Sequence, residues 1–89
     1  MPSPRAVNPF DALGDPNRRA IVEILGERGR SVGEIAESMP ISRPAVSKHL
    51  RLLKEAGLVA EQREGTRRIY RLEEEGLHTV KALLERMWR

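Results

Sequence analysis

The chain has 89 residues, 39% of them hydrophobic and 33% charged, with no cysteine. That is room for one domain with a thin core, which a second copy of the chain would help to complete. The missing cysteines exclude disulfides and thiolate metal sites. The formal net charge is +3 and the pI about 10.0, a weak pointer to a polyanionic partner unless the charge is clustered.

"MPSPRAVNPF" has no apolar core segment, so no signal peptide is expected, and residues 1–7 read as a flexible N-terminal tail. The remainder, 8–89, reads as one domain. No apolar run approaches the roughly 20 residues of a membrane span. The expectation is a soluble, cytoplasmic protein with no membrane partner.

"NPFDALG" suits a short helix with Asn8 as cap, Pro9 in the first turn, and Phe10 and Leu13 on one face. "DPNRRAIVEILGERG" suits a longer one, capped by Asp15, with Ile21, Val22, Ile24 and Leu25 as its apolar side. "SVGEIAESMP" opens on a capping box, Ser31 with Glu34, and Pro40 stops it. Ser42 caps the next helix, where Pro44 is tolerated because first-turn amides lack helical partners. Val46, Leu50 and Leu53 form its buried stripe, and Gly57 ends it. "LVAEQREGTRRIYRL" then changes period. Val59, Ile69 and Tyr70 favour strands and Gly65 a tight turn, giving a β-hairpin of about 14 residues. "EEEGLHTVKALLERMWR" is a last helix, acidic at its start and basic at its end, as the helix dipole prefers. Leu77, Val80, Leu84 and Met87 make one stripe, widened by Leu83 and Trp88.

The fold class expected is mainly α with a small β-hairpin: five helices and a two-stranded wing, a winged helix-turn-helix. The charge distribution says what its open side faces. Ser42–Arg51 holds Arg43, Lys48 and Arg51 and no acid, and residues 57–72 hold four Lys/Arg against two Asp/Glu. At 100° per residue from Val46, Arg51 falls at about 140°, Pro44 at about 160° and Lys48 at about 200°, opposite the stripe. Ser42 and Arg43 stand at the helix start, the end that enters a major groove in such motifs. Pro44, Ala45 and Ser47 are small enough to let backbone approach base edges. Arg43 suits a bidentate contact with guanine. Lys48 suits a base edge or a phosphate, and Arg51 a phosphate. In the hairpin, Arg67 and Arg68 near Gly65 suit a minor groove or a phosphate, unless they pair with Glu61 and Glu64. His49, at about −60°, suits core packing or a phosphate equally.

"DALGDPNRRAIVEIL", "SVGEIAESMPISRPAVSKHLRLLKEAGLV" and "REGTRRIYRL" together resemble the ArsR family of winged-helix transcriptional repressors, over Phe10 to Trp88. The resemblance implies a homodimer built from first and last helices on an inverted-repeat operator near its own promoter. It also implies that Ser42, Arg43, Ala45, Ser47, Lys48 and His49 lie on the recognition helix. Phe10, Leu13, Leu77, Val80, Leu84, Met87 and Trp88 are the expected dimer interface. Metal-responsive members carry a thiolate pair where this chain has Ser31 and Gly33. Glu74, Glu75 and His78 on the last helix fall short of a tetrahedral set. The expectation is therefore a metal-independent repressor with no cofactor, no metal site and no catalytic residue, whose partners are duplex DNA and itself. A metal- or ligand-responsive repressor of the same fold is the alternative, as is a winged helix that binds only protein. A small-molecule effector is not identifiable. Enzyme chemistry lacks its materials: two histidines on different helices, no cysteine and no phosphate loop.

Overall fold

The computed structural model describes residues 7–87. Most of the expected tail and Trp88 lie outside the described residues. The elements run α1 (Pro9–Ala12), α2 (Pro16–Glu27), α3 (Val32–Glu37), α4 (Arg43–Glu55), β1 (Val59–Glu64), β2 (Arg67–Leu72) and α5 (Glu74–Met87). None of these helices is long and apolar enough to cross a membrane.

The caps act as the sequence implies. Asn8 Oδ1 accepts from the Phe10 amide and Asp15 Oδ1 from those of Asn17 and Arg18. The Asn17 and Arg18 amides, Arg18 first, hold the Asp15 carboxyl below its usual range. Ser31 Oγ accepts from the Glu34 amide at 3.2 Å while Glu34 Oε1 accepts from the Ser31 amide at 3.0 Å. The α3–α4 connection covers residues 38–42, slightly longer than the tight turn of the simplest such motif. The extra length lets the Ser38 and Met39 amides close α3 onto Ile35 and Ala36 before Pro40.

Helix α4 ends in a Schellman turn. The Leu58 amide donates to Leu53 O and the Gly57 amide to Lys54 O, both at 3.0 Å, with Gly57 at φ +76°. Leu53 and Leu58, which flank that turn, are both fully buried. β1 and β2 pair antiparallel from Val59↔Leu72 to Glu64↔Arg67. Only Gly65, first of the two loop residues, has positive φ, the arrangement of a type II′ hairpin turn.

One pairing has no local signal in the sequence. Arg30, between α2 and α3, forms an antiparallel bridge with Tyr70 through N–H···O bonds of 3.0 and 2.8 Å. Beside it Gly29 has no room for a side chain, since a Cβ would lie 2.8 Å from Ile69 Cγ2. The bridge fastens the wing to the helical body.

The core lies where α2, α3 and α4 meet under the wing: Ile21, Leu25, Ile35, Val46, Leu50, Leu53, Leu58 and Val59 are each at most 3% exposed. At roughly 1.5–3 kcal/mol per large apolar side chain, these eight supply the main favourable term of folding. α5 packs on α1. It departs from its expected role at Val80, which is 7% exposed and belongs to the chain's own core, with Leu77 packed partly against it. Val80 has almost no surface left for a partner. Phe10, Leu84 and Met87, at 38%, 47% and 69% exposure, retain theirs, and Leu13 is half-buried.

Candidate nucleic-acid interface

α4 is held from behind by its stripe, with Val46, Leu50 and Leu53 all at 0% exposure. The opposite side carries Pro44, Lys48 and Arg51, with Ser47 and Ala45 flanking them and Ser42 and Arg43 at the helix start; all are exposed but Ala45, which is half-exposed. Among the described residues Arg43, Lys48 and Arg51 enter no ion pair or side-chain hydrogen bond, so none of these residues neutralises their charge.

His49 is half-buried, and its Nδ1 lies 3.4 Å from Arg18 Nη1. A guanidinium only donates, so in this contact Nδ1 is the accepting nitrogen and Nε2 is the one left for an outside partner. Arg18 in turn donates through Nε to Ala12 O at 2.6 Å and through Nη2 to Asp11 O at 3.4 Å. One arginine thus ties α1 and α2 to the recognition helix. Sequence reading gave Arg18 no role, because its partners are up to 31 residues away.

The wing arginines are less free than those of α4. Arg67 does not pair with Glu61 or Glu64. Its Nη2 donates to Glu34 Oε1 at 2.7 Å, and Arg28 approaches the other Glu34 oxygen at 3.5 Å. The Ser31 amide first, then the Ser31 hydroxyl and these two guanidinium groups, hold the Glu34 carboxyl below its usual range against partial burial. Arg68 lies 3.8 Å from Glu61, and Arg71 donates to Glu64 at 2.9 Å. Glu61 also accepts from Tyr70 Oη at 2.8 Å and lies 3.5 Å from Lys54. The Tyr70 hydroxyl, chiefly, holds Glu61 below its usual range. Burial first, and Glu61 second, push Tyr70 up to about 12.

Between the start of α4 and the wing turn runs a groove of about 380 Å³ lined by Ser31, Val32, Arg43, Thr66, Arg67 and Arg68. It brings together three of the sequence-nominated residues, Arg43, Arg67 and Arg68, and adds two hydroxyls that sequence reading did not nominate. Among the described residues no group of three or more His, Asp or Glu side chains is placed to hold a metal ion. Of the two positions where metal-responsive members carry thiolates, Ser31 serves as a helix cap and Gly33 lies beneath the Arg43 guanidinium.

Residues 13–62 match the family described as Helix-turn-helix domain. The HTH-type transcriptional regulator Rv2034 of Mycobacterium tuberculosis is 49% identical over 79 residues, 89% of this chain and 74% of that protein. A solved structure described as a possible transcriptional regulator for arsenical resistance superposes with a TM-score of 0.84 at 37% identity, covering 93% of this chain and 86% of that one. The homodimeric winged helix-turn-helix DNA-binding domain of a possible ArsR-family regulator from Mycobacterium bovis superposes at 0.74 with 33% identity, covering 88% and 72%. The chain belongs to the ArsR family of winged helix-turn-helix transcriptional regulators. In ArsR terms α4 is the recognition helix, the β1–β2 hairpin the wing, and α1 with α5 the pair of terminal helices.

Proposed function

We propose that residues 8–89 form a single DNA-binding and dimerisation unit, acting as a cytoplasmic homodimer on an inverted-repeat operator and repressing transcription by occupying it. The observation that carries this reading is the open face of α4, where exposed Lys48 and Arg51 lie opposite a fully buried stripe, Arg43 stands exposed at the helix start, and none of the three has an acidic partner among the described residues. A generic surface helix would mix both signs there. Two such helices, about 34 Å apart, would enter successive major grooves on one side of a duplex. The small residues Pro44, Ala45 and Ser47 allow close approach, Lys48 and Arg51 meet bases and phosphates, and His49 presents its Nε2 edge to a phosphate. Arg67 and Arg68 extend the contact from the wing.

Dimerisation is supported by the exposed apolar side chains Phe10, Leu84 and Met87 on the two terminal helices, and by the homodimeric state of the M. bovis neighbour. Regulation without metal is supported by the residues at positions 31 and 33. A gel shift on duplex against single strands in rising salt tests the DNA reading. Preference for single strands, or binding insensitive to salt, would refute it, since phosphate neutralisation must release counterions.

A further inference from the structure

Arg43 holds the position from which a guanine would be read, yet its side chain turns elsewhere. A Cβ built on Gly33 would lie 3.5, 3.6 and 3.8 Å from Arg43 Nη2, Cζ and Nη1. Three nearly equal distances mean that the guanidinium lies with its face over Gly33, on the outside of the first turn of α3. It is folded back alongside α3 toward the wing rather than projecting ahead of α4. There it lines the groove shared with Ser31, Thr66, Arg67 and Arg68.

We propose that this groove holds one phosphate of the DNA backbone, with Arg43 as its principal ligand, so that Arg43 sets the register of the recognition helix and leaves base reading to the residues that follow it. The proposal rests on the DNA-binding reading above and refines it. Three observations converge. The first is charge: no acidic residue lines the groove, and its three cations are not equivalent. Arg67 is answered by Glu34 at 2.7 Å and Arg68 by Glu61 at 3.8 Å, while Arg43 has no acidic partner among the described residues. Arg43 therefore supplies most of the attraction for an anion. The second is donor geometry. The Thr66 hydroxyl enters no hydrogen bond among the described residues, so its proton is available to an outside acceptor, while the Ser31 hydroxyl is engaged with Glu34. The third is room: about 380 Å³ holds a phosphodiester and several waters at about 30 Å³ each. Phosphate contacts position a protein and base contacts specify its sequence. With Arg43 assigned to position, discrimination falls to Ser47 and Lys48, the next exposed side chains along the helix that can hydrogen-bond a base edge.

The test uses a duplex selected by the wild-type protein from a random-sequence pool, alongside unselected duplex. Arg43→Ala should weaken binding to both by the same factor, about tenfold. It should lower the salt slope by about 0.9 for each Arg43 engaged, hence by roughly two for a dimer. Arg43→Lys should keep most of the affinity, because a phosphate accepts a point charge where a guanine edge needs the arginine fork. Lys48→Ala should narrow the ratio between selected and unselected duplex. Unchanged thermal unfolding of the variants shows that the fold is intact. The proposal is overturned if Arg43→Ala weakens only the selected duplex, or if Arg43→Lys is as damaging as Arg43→Ala. Wild-type protein that binds no duplex at all would remove the parent reading as well, and that outcome is read without any variant.

Discussion

Replacing Gly76 by alanine should destabilise this protein, against the usual rule for a helical glycine. In the first turn of α5, alanine would ordinarily be the better residue by up to about 1 kcal/mol, because glycine loses more backbone entropy. Here a Cβ at position 76 would overlap the carbonyl oxygen of Gly57. That oxygen cannot swing aside, since Gly57 is fixed at φ +76° by the Schellman turn and Leu58 is fully buried. α5 has to withdraw by about 1 Å, because real Cβ atoms essentially never come closer than 3.0 Å. Overpacking of this kind costs about 1–3 kcal/mol, and a backbone obstacle puts the cost at the upper end. Net of propensity, the loss is about 2 kcal/mol, out of roughly 4–13 kcal/mol for a chain of this length. For a domain of this size the melting temperature should fall by about 8–16 °C. The control is Gly26→Ala in α2, where the nearest atom is Leu72 Cδ1 at 4.0 Å, an ordinary contact. That variant should gain about 0.5–1 kcal/mol. Both are read by circular dichroism during thermal and urea unfolding at one fixed protein concentration, since dimerisation contributes to apparent stability. A Gly76→Ala protein as stable as wild type would show that α5 does not approach the α4–β1 turn this closely.

Tyr70 is the single tyrosine, so its ionisation is directly visible by near-ultraviolet absorbance. The folded protein should titrate near 12 instead of the ordinary 10.0, and Glu61→Gln should bring the midpoint back toward 10.0. A folded pKa above the unfolded one means this contribution to stability is intact below pH 10 and lost as pH rises through 12. Glu34 works in the opposite sense. Its depressed carboxyl stabilises the fold above its ordinary value of 4.5, and that share disappears as pH falls through the folded value. The stability gap between wild type and Glu34→Gln should therefore close in acid, and a gap that widened would contradict the assignment. Leu84→Glu, at a side chain 47% exposed in the single chain, should leave the fold intact and shift sedimentation toward monomer. Unaltered dimerisation would move the interface away from α5. Arg68→Ala should weaken specific and random binding alike and lower the salt slope, by less than Arg43→Ala, because Glu61 already answers part of its charge.

What the sequence determined by itself was whatever depends on residues within a turn of each other. The caps at Asn8, Asp15, Ser31 and Ser42, the stripe Val46–Leu50–Leu53, the stop at Gly57 and the hairpin around Gly65 all act over four residues or fewer. Such signals fixed the element order, placed Lys48 and Arg51 opposite the core and put Arg43 at the start of α4. The tertiary structure decided which long-range partner each charge finds. Arg67 goes to Glu34, 33 residues away, in preference to the nearer Glu64, and Arg18 meets His49 across 31 residues. Val80 turns inward while Leu84, one helical turn later, stays out. Both show the same apolar character in sequence, and only the position of α1 and the core beneath α5 distinguishes them. The direction of Arg43 belongs to this second class. A long, flexible side chain at a helix start has many rotamers, and the bare surface of Gly33 together with the wing beside it selects among them.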